Sequence, residues 1–342
     1  KFNWYWSFNI LDSYSPDQRR ITYNKSITGI DHYVLNITNN LSQQSGSRIF
    51  QTLSDYIYTG GGDLTLKVKQ QTIKAGYMIQ VKDRLYDAQL FAIYLPVDNA
   101  ALRQQDASSA FRPENFGNGS DNKFGFNAIQ NRNFRYLANT ILNAGYLQLD
   151  NQFSSKLRVI WGLRVEDYDQ LIGSVYKSDP RHNYTRVTDF LPGLNATYKL
   201  NNLTNLRFSA SQTVVRPEFR ELASFQYYDF DLNASVQGLP TIERTKITNL
   251  DLRYEVYPAS GEVITLGAFY KHFDKPIEMI FNFGAGGSST FNFANPESAR
   301  AYGVEFEIRK KLDFSEALKN FTIQANGTYI NSRVKDQNLA LD

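Results

Sequence analysis

The sequence predicts an all-β protein, an antiparallel transmembrane β-barrel with about twelve strands in 342 residues. Three observations predict it. Six stretches alternate apolar and polar residues for about ten positions before a turn. No segment with helical periodicity separates them. The connections between them alternate short and long. The clearest stretch runs from Leu157 to Glu166. Leu157, Val159, Trp161, Leu163 and Val165 fall on one face, and Arg158, Ile160, Gly162, Arg164 and Glu166 on the other. A strand has period two, so one face is greasy and the other carries charge.

The strands are expected at 2–10, 19–27, 48–70, 74–86, 136–150, 156–168, 188–199, 205–216, 246–256, 262–273, 300–311 and 320–332. In 205–212, Leu206, Phe208 and Ala210 oppose Arg207, Ser209 and Ser211. In 249–256, Leu250, Leu252, Tyr254 and Val256 oppose Asn249, Asp251, Arg253 and Glu255. In 301–311, Tyr302, Val304, Phe306 and Ile308 oppose Gly303, Glu305, Glu307 and Arg309. In 321–329, Phe321, Ile323, Ala325, Gly327 and Tyr329 oppose Thr322, Gln324, Asn326 and Thr328. The apolar sets are expected to meet lipid and the polar sets to line a wet lumen. A soluble sandwich would use strands of about 5–6 residues; these match the roughly 9–11 of a tilted spanning strand. Tyr254, Tyr270, Tyr302 and Tyr329 fit the ends of the greasy stripe.

Composition agrees and excludes other classes. The apolar fraction is 42% and mean hydropathy −0.44, with no run near the ~20 apolar residues of a spanning helix. The longest candidate, Leu90 to Val97, contains Pro96. Only alternate residues of a barrel strand meet lipid, so low hydropathy is no objection. The 22 Tyr and 24 Phe suit interfacial girdles. With no Cys, disulfides and thiolate metal sites are excluded. A net charge of +3, from 37 basic and 34 acidic residues, is no footprint for nucleic acid. No signal peptide is visible at Lys1-Phe2-Asn3-Trp4.

The short connections are 71–73, 151–155, 200–204, 257–261 and 312–319; the long ones are 87–135, 169–187, 217–245 and 274–299. Outer-membrane barrels keep short turns in the periplasm and long loops outside. Strand 136–150 then descends, 320–332 ascends, and the first strand descends. Both ends are thus expected on the extracellular side, with further strands of a larger barrel beyond them. Residues 1–342 read as a single, partial barrel domain.

Three groups of residues carry a family resemblance. One runs Ser209-Ala210-Ser211-Gln212-Thr213-Val214-Val215-Arg216-Pro217-Glu218-Phe219-Arg220-Glu221-Leu222. A second joins Thr248 to Glu255 with Gly267-Ala268-Phe269-Tyr270-Lys271 and Lys275-Pro276-Ile277-Glu278. The third combines Pro113-Glu114-Asn115-Phe116-Gly117, Leu137-Ala138-Asn139-Thr140 and Asn143-Ala144-Gly145-Tyr146. From about residue 63 to 335 the chain resembles TonB-dependent receptors, outer-membrane active transporters, of the type common in Bacteroidota. The Arg-Pro-x-Phe-Arg-Glu-Leu stretch in its strand context is the most specific part. The resemblance implies a 22-stranded barrel closed by an N-terminal plug, of which this chain is the C-terminal barrel portion. It also implies TonB with its inner-membrane motor as partner. No plug and no TonB box are found in this sequence, so the family's coupling residues are not carried over.

Enzyme chemistry finds no motif. His32, His182 and His272 lie without a neighbouring nucleophile pattern. Glu305 and Glu307 share a strand face, as a glycosidase pair would, but Arg309 and Lys311 continue the row as in a charge-balanced lumen wall. Gly284-Ala285-Gly286-Gly287 lacks the Lys-Ser or Lys-Thr of a phosphate loop. Asn195-Ala196-Thr197 is a chance glycosylation match if the protein is bacterial. No cofactor, metal site or catalytic residue is expected.

Loop 217–245 is the candidate ligand surface, with Arg216, Arg220, Phe225, Tyr227, Tyr228 and Asp229 at the barrel mouth. Aromatic faces with interspersed charge suit sugars, peptides or chelates; packing of the loop on its neighbours is the competing reading. Phe281, Phe283, Phe291 and Phe293 read equally as ligand contacts or as a β-extension of the wall. The expected protein is an importer of an oligosaccharide, peptide or metal chelate in the bacterial outer membrane. Its other partners are outer-membrane lipid and, as a further candidate, a surface lipoprotein. The competing readings are a structural or partner subunit of a surface or secretion complex, and a passive porin.

Overall fold

The computed structural model describes residues 1–25, 33–41, 46–117, 122–224, 226–229, 232, 234–283 and 289–335. Its strands are β1 (Phe2–Arg20), β2 (Tyr23–Lys25), β3 (Tyr33–Leu35), β4 (Ser47–Val68), β5 (Gln71–Tyr94), β6 (Gly125–Ile129), β7 (Arg135–Gln152), β8 (Leu157–Gly173) and β9 (Asn183–Lys199). They continue with β10 (Thr204–Val215), β11 (Gln226–Asp229), β12 (Ala234–Gln237), β13 (Thr245–Val256), β14 (Val263–Asp274), β15 (Glu278–Phe283), β16 (Ser289–Ala294), β17 (Ser298–Lys311) and β18 (Thr322–Lys335). Three single-turn helices, α1 (Ala100–Arg103), α2 (Ala107–Ala110) and α3 (Phe219–Leu222), lie in the long connections. No helix among the described residues is long and apolar enough to cross a membrane.

One antiparallel 12-stranded sheet dominates, in the order β1-β4-β5-β7-β8-β9-β10-β13-β14-β17-β18, with β6 added beside β5. Its register aligns like with like. Tyr198, Leu206, Tyr254, Leu266 and Phe306 are successive partners across five strands. One residue along, Thr197, Arg207, Arg253, Gly267 and Glu305 are partners in the same way. One face is therefore apolar across the whole sheet and the other polar. The apolar face is bare: Trp4, Trp6, Leu147, Trp161, Leu163, Leu252 and Phe306 are all exposed. The packed core lies on the polar side, where the long connections fold over the wall. Its main cluster joins Tyr86, Tyr136 and Ile172 to Phe219, Leu222, Val236 and Phe293. A second gathers Leu35, Ile37, Ile93, Leu95, Leu102, Ala110 and Phe124 around α1 and α2.

The sheet has the expected twelve members, but two differ. The strand expected at 19–27 is not a wall strand: β1 runs unbroken to Arg20 and pairs with β4 over its length, apart from an irregularity near Ser15. Tyr23–Lys25 forms a separate two-stranded pair with β3. The polar run Asp12-Ser13-Tyr14-Ser15 looks like a turn, yet it continues above the greasy band, where alternation is no longer imposed by lipid. The twelfth member is β6, inside the connection 87–135, which β5 also shortens by continuing to Tyr94. With one strand fewer at the start, direction reverses. β1 ascends, and the Lys1 amine donates to the Thr65 carbonyl oxygen (2.8 Å) at the short-turn rim. The expectation of an extracellular N-terminus is corrected accordingly.

The Phe-rich hairpin β15–β16 does not extend the wall. It forms a separate 4-stranded sheet in the order β11-β12-β16-β15, joining the two longest late connections. Phe293 is buried in the core and Phe281 lies 4.9 Å from Phe291, centroid to centroid. Gly284 to Gly287 lie outside the described residues.

Candidate functional site

The excursion between β10 and β13 begins and ends on one carboxylate. Arg216 follows the last residue of β10, and Pro217, which cannot donate to a ladder, ends the strand. Arg216 places Nη2 at 3.3 Å from Asp189 Oδ2 and 2.8 Å from Glu166 Oε2. Arg244, just before β13, reaches the same Asp189 at 2.8 Å. Asp189 is 1% exposed. Its alternation with outward Phe190 and Thr188 aims it inward, to the face its β8 partner Glu166 shares. Glu166 also takes Arg164 Nε at 2.6 Å, and the Arg216 guanidinium lies 4.5 Å from the Tyr168 ring centroid. Buried charges persist only when paired in this way.

Between these ties the chain lies down on the inner wall. α3 presses Phe219 onto Lys82 and Arg84 of β5, each 5.2 Å from its ring centroid. Arg84 and Lys82 in turn hold buried Asp55 at 2.6 and 3.3 Å. The returning chain closes tightly on the helix. Leu239 N–H donates to Glu221 O (2.7 Å), and at Gly238 any Cβ would lie 2.2 Å from the Ala223 carbonyl oxygen. Only glycine fits there. Glu221 Oε2 accepts the Glu218 N–H at 2.8 Å. Burial pushes the Glu221 carboxyl up from its ordinary value, with the nearby Glu218 charge adding to the shift.

The expected ligand residues divide. Arg216 is not a free guanidinium at the mouth; it is spent on Glu166, Asp189 and Tyr168. Arg220 is exposed and stacks on Tyr227 at 4.4 Å. Tyr227 pairs with fully buried Val236 and packs at the core's edge, and burial raises its phenol. Asp229 accepts the Leu232 N–H at 3.1 Å. Tyr228 pairs through its backbone with Ser235, and Phe225 lies outside the described residues.

Lower on the inner face, Arg158, Arg207, Asp251, Arg253, Glu255 and Glu305 line a groove of about 410 Å³. Glu255 joins Arg207 (2.8 Å) and Arg253 (3.4 Å) and accepts the Tyr257 hydroxyl (2.9 Å). Glu307 sits 3.8 Å from both Arg253 and Arg309. Arg158 pairs with Asp150 at 2.7 Å, and Ser209 donates to Asp251 at 3.2 Å. On the opposite face lie Leu157, Val159, Val165, Leu206, Phe208, Leu250, Tyr254, Tyr302, Val304, Ile308 and Ile323, with Phe321 in the turn before β18.

His182 Nδ1 lies 2.8 Å from Ser174 O, His272 faces Thr248 and Arg300 across the ladder, and His32 is outside the described residues. No group of three or more His, Cys, Asp or Glu able to hold a metal occurs among the described residues. Sequence reasoning missed Asp189, Arg244, Asp55, Lys82 and Arg84. Asp189 had one usable signal, a carboxylate on the charged side of a clean alternation. Its partners, 27 and 55 positions away, carried none.

A wide antiparallel sheet, greasy outside and charged inside with loops folded over its inner wall, defines an outer-membrane β-barrel. The chain belongs to the outer membrane protein beta-barrel family, whose model matches residues 99–341, and it lies in the bacterial outer membrane. The fold is that of several solved structures. The copper transporter OprC aligns with a TM-score of 0.61 at 13% identity, over 97% of this chain and 44% of its own. The pyoverdine outer membrane receptor FpvA from Pseudomonas aeruginosa gives 0.59 at 14%, over 98% and 42%. The ferric citrate transporter FecA gives 0.54 at 13%, over 97% and 41%. The chain thus spans less than half the length of these proteins. No curated protein matches.

Proposed function

We propose that the chain is the C-terminal barrel portion of a TonB-dependent receptor of the Bacteroidota type, importing a nutrient ligand across the outer membrane. The observation that carries this reading is the cover. The Arg216–Arg244 excursion is tied at both ends to buried Asp189 and packed onto the inner wall. A passive porin works with an open mouth; capture of a scarce ligand calls for one that can close and reopen. The ligand is an oligosaccharide, peptide or metal chelate, and the names of the similar structures support the last class. In this reading the exposed apolar face meets lipid, and the Arg158-to-Glu305 face lines the lumen. Arg220, Tyr227, Tyr228 and Asp229 contact ligand, whereas Arg216 holds their loop in place. TonB with its motor drives transport, and a surface lipoprotein is a further candidate partner.

The test is uptake of candidate ligands from these three classes by cells carrying the full-length protein, with and without TonB. Uptake that needs both supports the reading. Uptake independent of TonB favours a porin. No uptake, with loss of a surface assembly on deletion, favours a partner subunit of a complex.

A further inference from the structure

At its long-loop end, the apolar face finishes differently on the two halves of the sheet. Tyr270 of β14 and Tyr302 of β17 are cross-strand partners there, both exposed. One outward position further, roughly 7 Å along the strands, stands a single row. It runs through Gln212 of β10, Thr248 of β13, His272 of β14, Arg300 of β17 and Arg333 of β18. Each lies an even number of residues from Phe208, Leu250, Tyr270, Tyr302 or Tyr329 on its own strand, so the row shares their exposed apolar face.

His272, Arg300 and Arg333 are exposed, and none has an ion-pair partner among the described residues. Arg300 and Arg333 sit directly opposite each other. Like charges so placed destabilise a ladder, and an anion between them removes that cost. The nearest carboxylates belong to the next row up, which is balanced: Asp274 lies opposite Lys246, and Lys335 holds Glu297 at 2.7 Å. Above the greasy band of β5 to β9 the same face neutralises itself, with Arg135 paired to Asp87 and Arg186 to Asp167. The row on β14, β17 and β18 therefore calls for an anion from outside, beside hydrocarbon.

We infer that His272, Arg300 and Arg333 bind the phosphate groups of a phosphorylated glycolipid in the outer leaflet. The guanidiniums take phosphate oxygens in bidentate fashion. Gln212 and Thr248 offer hydrogen bonds to sugar hydroxyls alongside, and the acyl chains lie down the stripe below Tyr270 and Tyr302. The row crosses five strands, roughly 19 Å. A single phosphodiester fills only its arginine end, whereas sugar beside phosphate fills both parts. The row opens sideways from the wall, so an acidic soluble protein would have to approach through the lipid headgroups. The inference rests on the reading that the apolar face meets lipid with the long loops outside. It is independent of what the barrel transports.

The experiment uses the full-length protein in neutral detergent, with bound lipid counted by native mass spectrometry. The competing probes are a phosphorylated glycolipid, the same glycolipid with its phosphates removed, and phosphatidylglycerol. Wild type is expected to retain the phosphorylated glycolipid over both others, and salt should erode the preference. Arg300→Gln with Arg333→Gln should weaken that retention about tenfold or more. Lys at both positions restores it, and Arg186→Gln, on the self-neutralised half, leaves it unchanged. Heat-modifiable gel migration checks that each variant is folded. Equal retention of the two glycolipid forms by wild type overturns the inference without recourse to any variant, and so does displacement of the glycolipid by phosphatidylglycerol. A folded Gln variant that keeps its glycolipid also overturns it, as does one that loses an acidic protein partner with its lipid unchanged. Surface abundance of Trp161→Arg reads the lipid-facing assignment separately. If that abundance falls while the Gln variant keeps its glycolipid, this inference fails and the assignment of faces stands.

Discussion

Asp189 holds more of the site together than any other side chain. Both ends of a long excursion rest on it, and with Ala there Arg244 loses its counter-ion while Arg216 keeps only Glu166. Breaking such a pair costs about 3–5 kcal/mol, whereas an isosteric amide leaves hydrogen-bonding capacity behind. Asp189→Ala should therefore release loop 217–244 to external protease in intact cells with the barrel still heat-modifiable, and Asp189→Asn should fall between it and wild type. A protease-resistant Ala variant would dismiss the latch. Glu221 gives the same loop a pH dependence. Its folded carboxyl titrates above the ordinary value because burial disfavours its charge. The folded loop thus binds more protons than the unfolded one. Its stability is greatest below the unfolded value and declines as pH rises through the raised one. Glu221→Gln should flatten that dependence and toughen the loop at neutral pH; protease cleavage rates across pH 4–8 measure it. Trp161 tests the wall. It is exposed on the apolar face, and Arg near mid-membrane costs about 2–4 kcal/mol on a lipid-facing position. Trp161→Arg should lower surface abundance. Unchanged abundance of Trp161→Arg would reverse the assignment of faces.

The two late excursions are joined by hydrogen bonds rather than by sequence: β12 and β16 pair in parallel, with Ser235 opposite Thr290 and Val236 opposite Phe291. They should move as one body. The chain has no cysteine, so Ser235→Cys with Thr290→Cys introduces a single possible disulfide at ordinary strand spacing. Oxidation should leave uptake intact if the pair opens together, and abolish it if the two must separate. Tyr227→Ala with Tyr228→Ala asks what loop 217–245 does. Each aromatic contact is worth about 0.5–1.5 kcal/mol beyond burial, so uptake affinity should fall about tenfold or more at normal surface abundance. Reduced abundance would instead mark these rings as packing, a role the Tyr227–Val236 pairing already gives one of them. These elements also mark how far the sequence could be read. The wall strands from β7 onward were legible to within two or three residues, except that β8 and β9 each run five residues further above the membrane, because lipid on one side and water on the other impose alternation. Above the membrane that constraint ends. Hence the alternation breaks off after residue 10 of β1, β6 is hidden in a loop, and the Phe-rich hairpin gives no sign that its partner is β12. The same limit applied to the site: Arg216 and Tyr227 were visible as residue types, but the carboxylate and the core that bind them are set by tertiary contact alone.

As a whole the sheet is a wall with two free edges. β1 and β18 stand at its ends, each pairing on one side only among the described residues, and every residue of β1 up to Tyr14 is exposed. Water satisfies the open N–H and C=O groups of such an edge; hydrocarbon does not, and each unsatisfied group there costs several kcal/mol. Phe219, Leu222 and Phe293 already fill the inner side against Tyr86, Tyr136 and Ile172. Residues 1–342 refolded alone in detergent are therefore expected to give no stable closed barrel. The measurement is gel migration with and without boiling, accompanied by protease resistance of the β7–β14 region. A compact, heat-modifiable species would show that β1 and β18 can pair directly. The β10–β13 excursion would then have to repack as the wall closed, and the Asp189 ties to Arg216 and Arg244 would be its first contacts to probe.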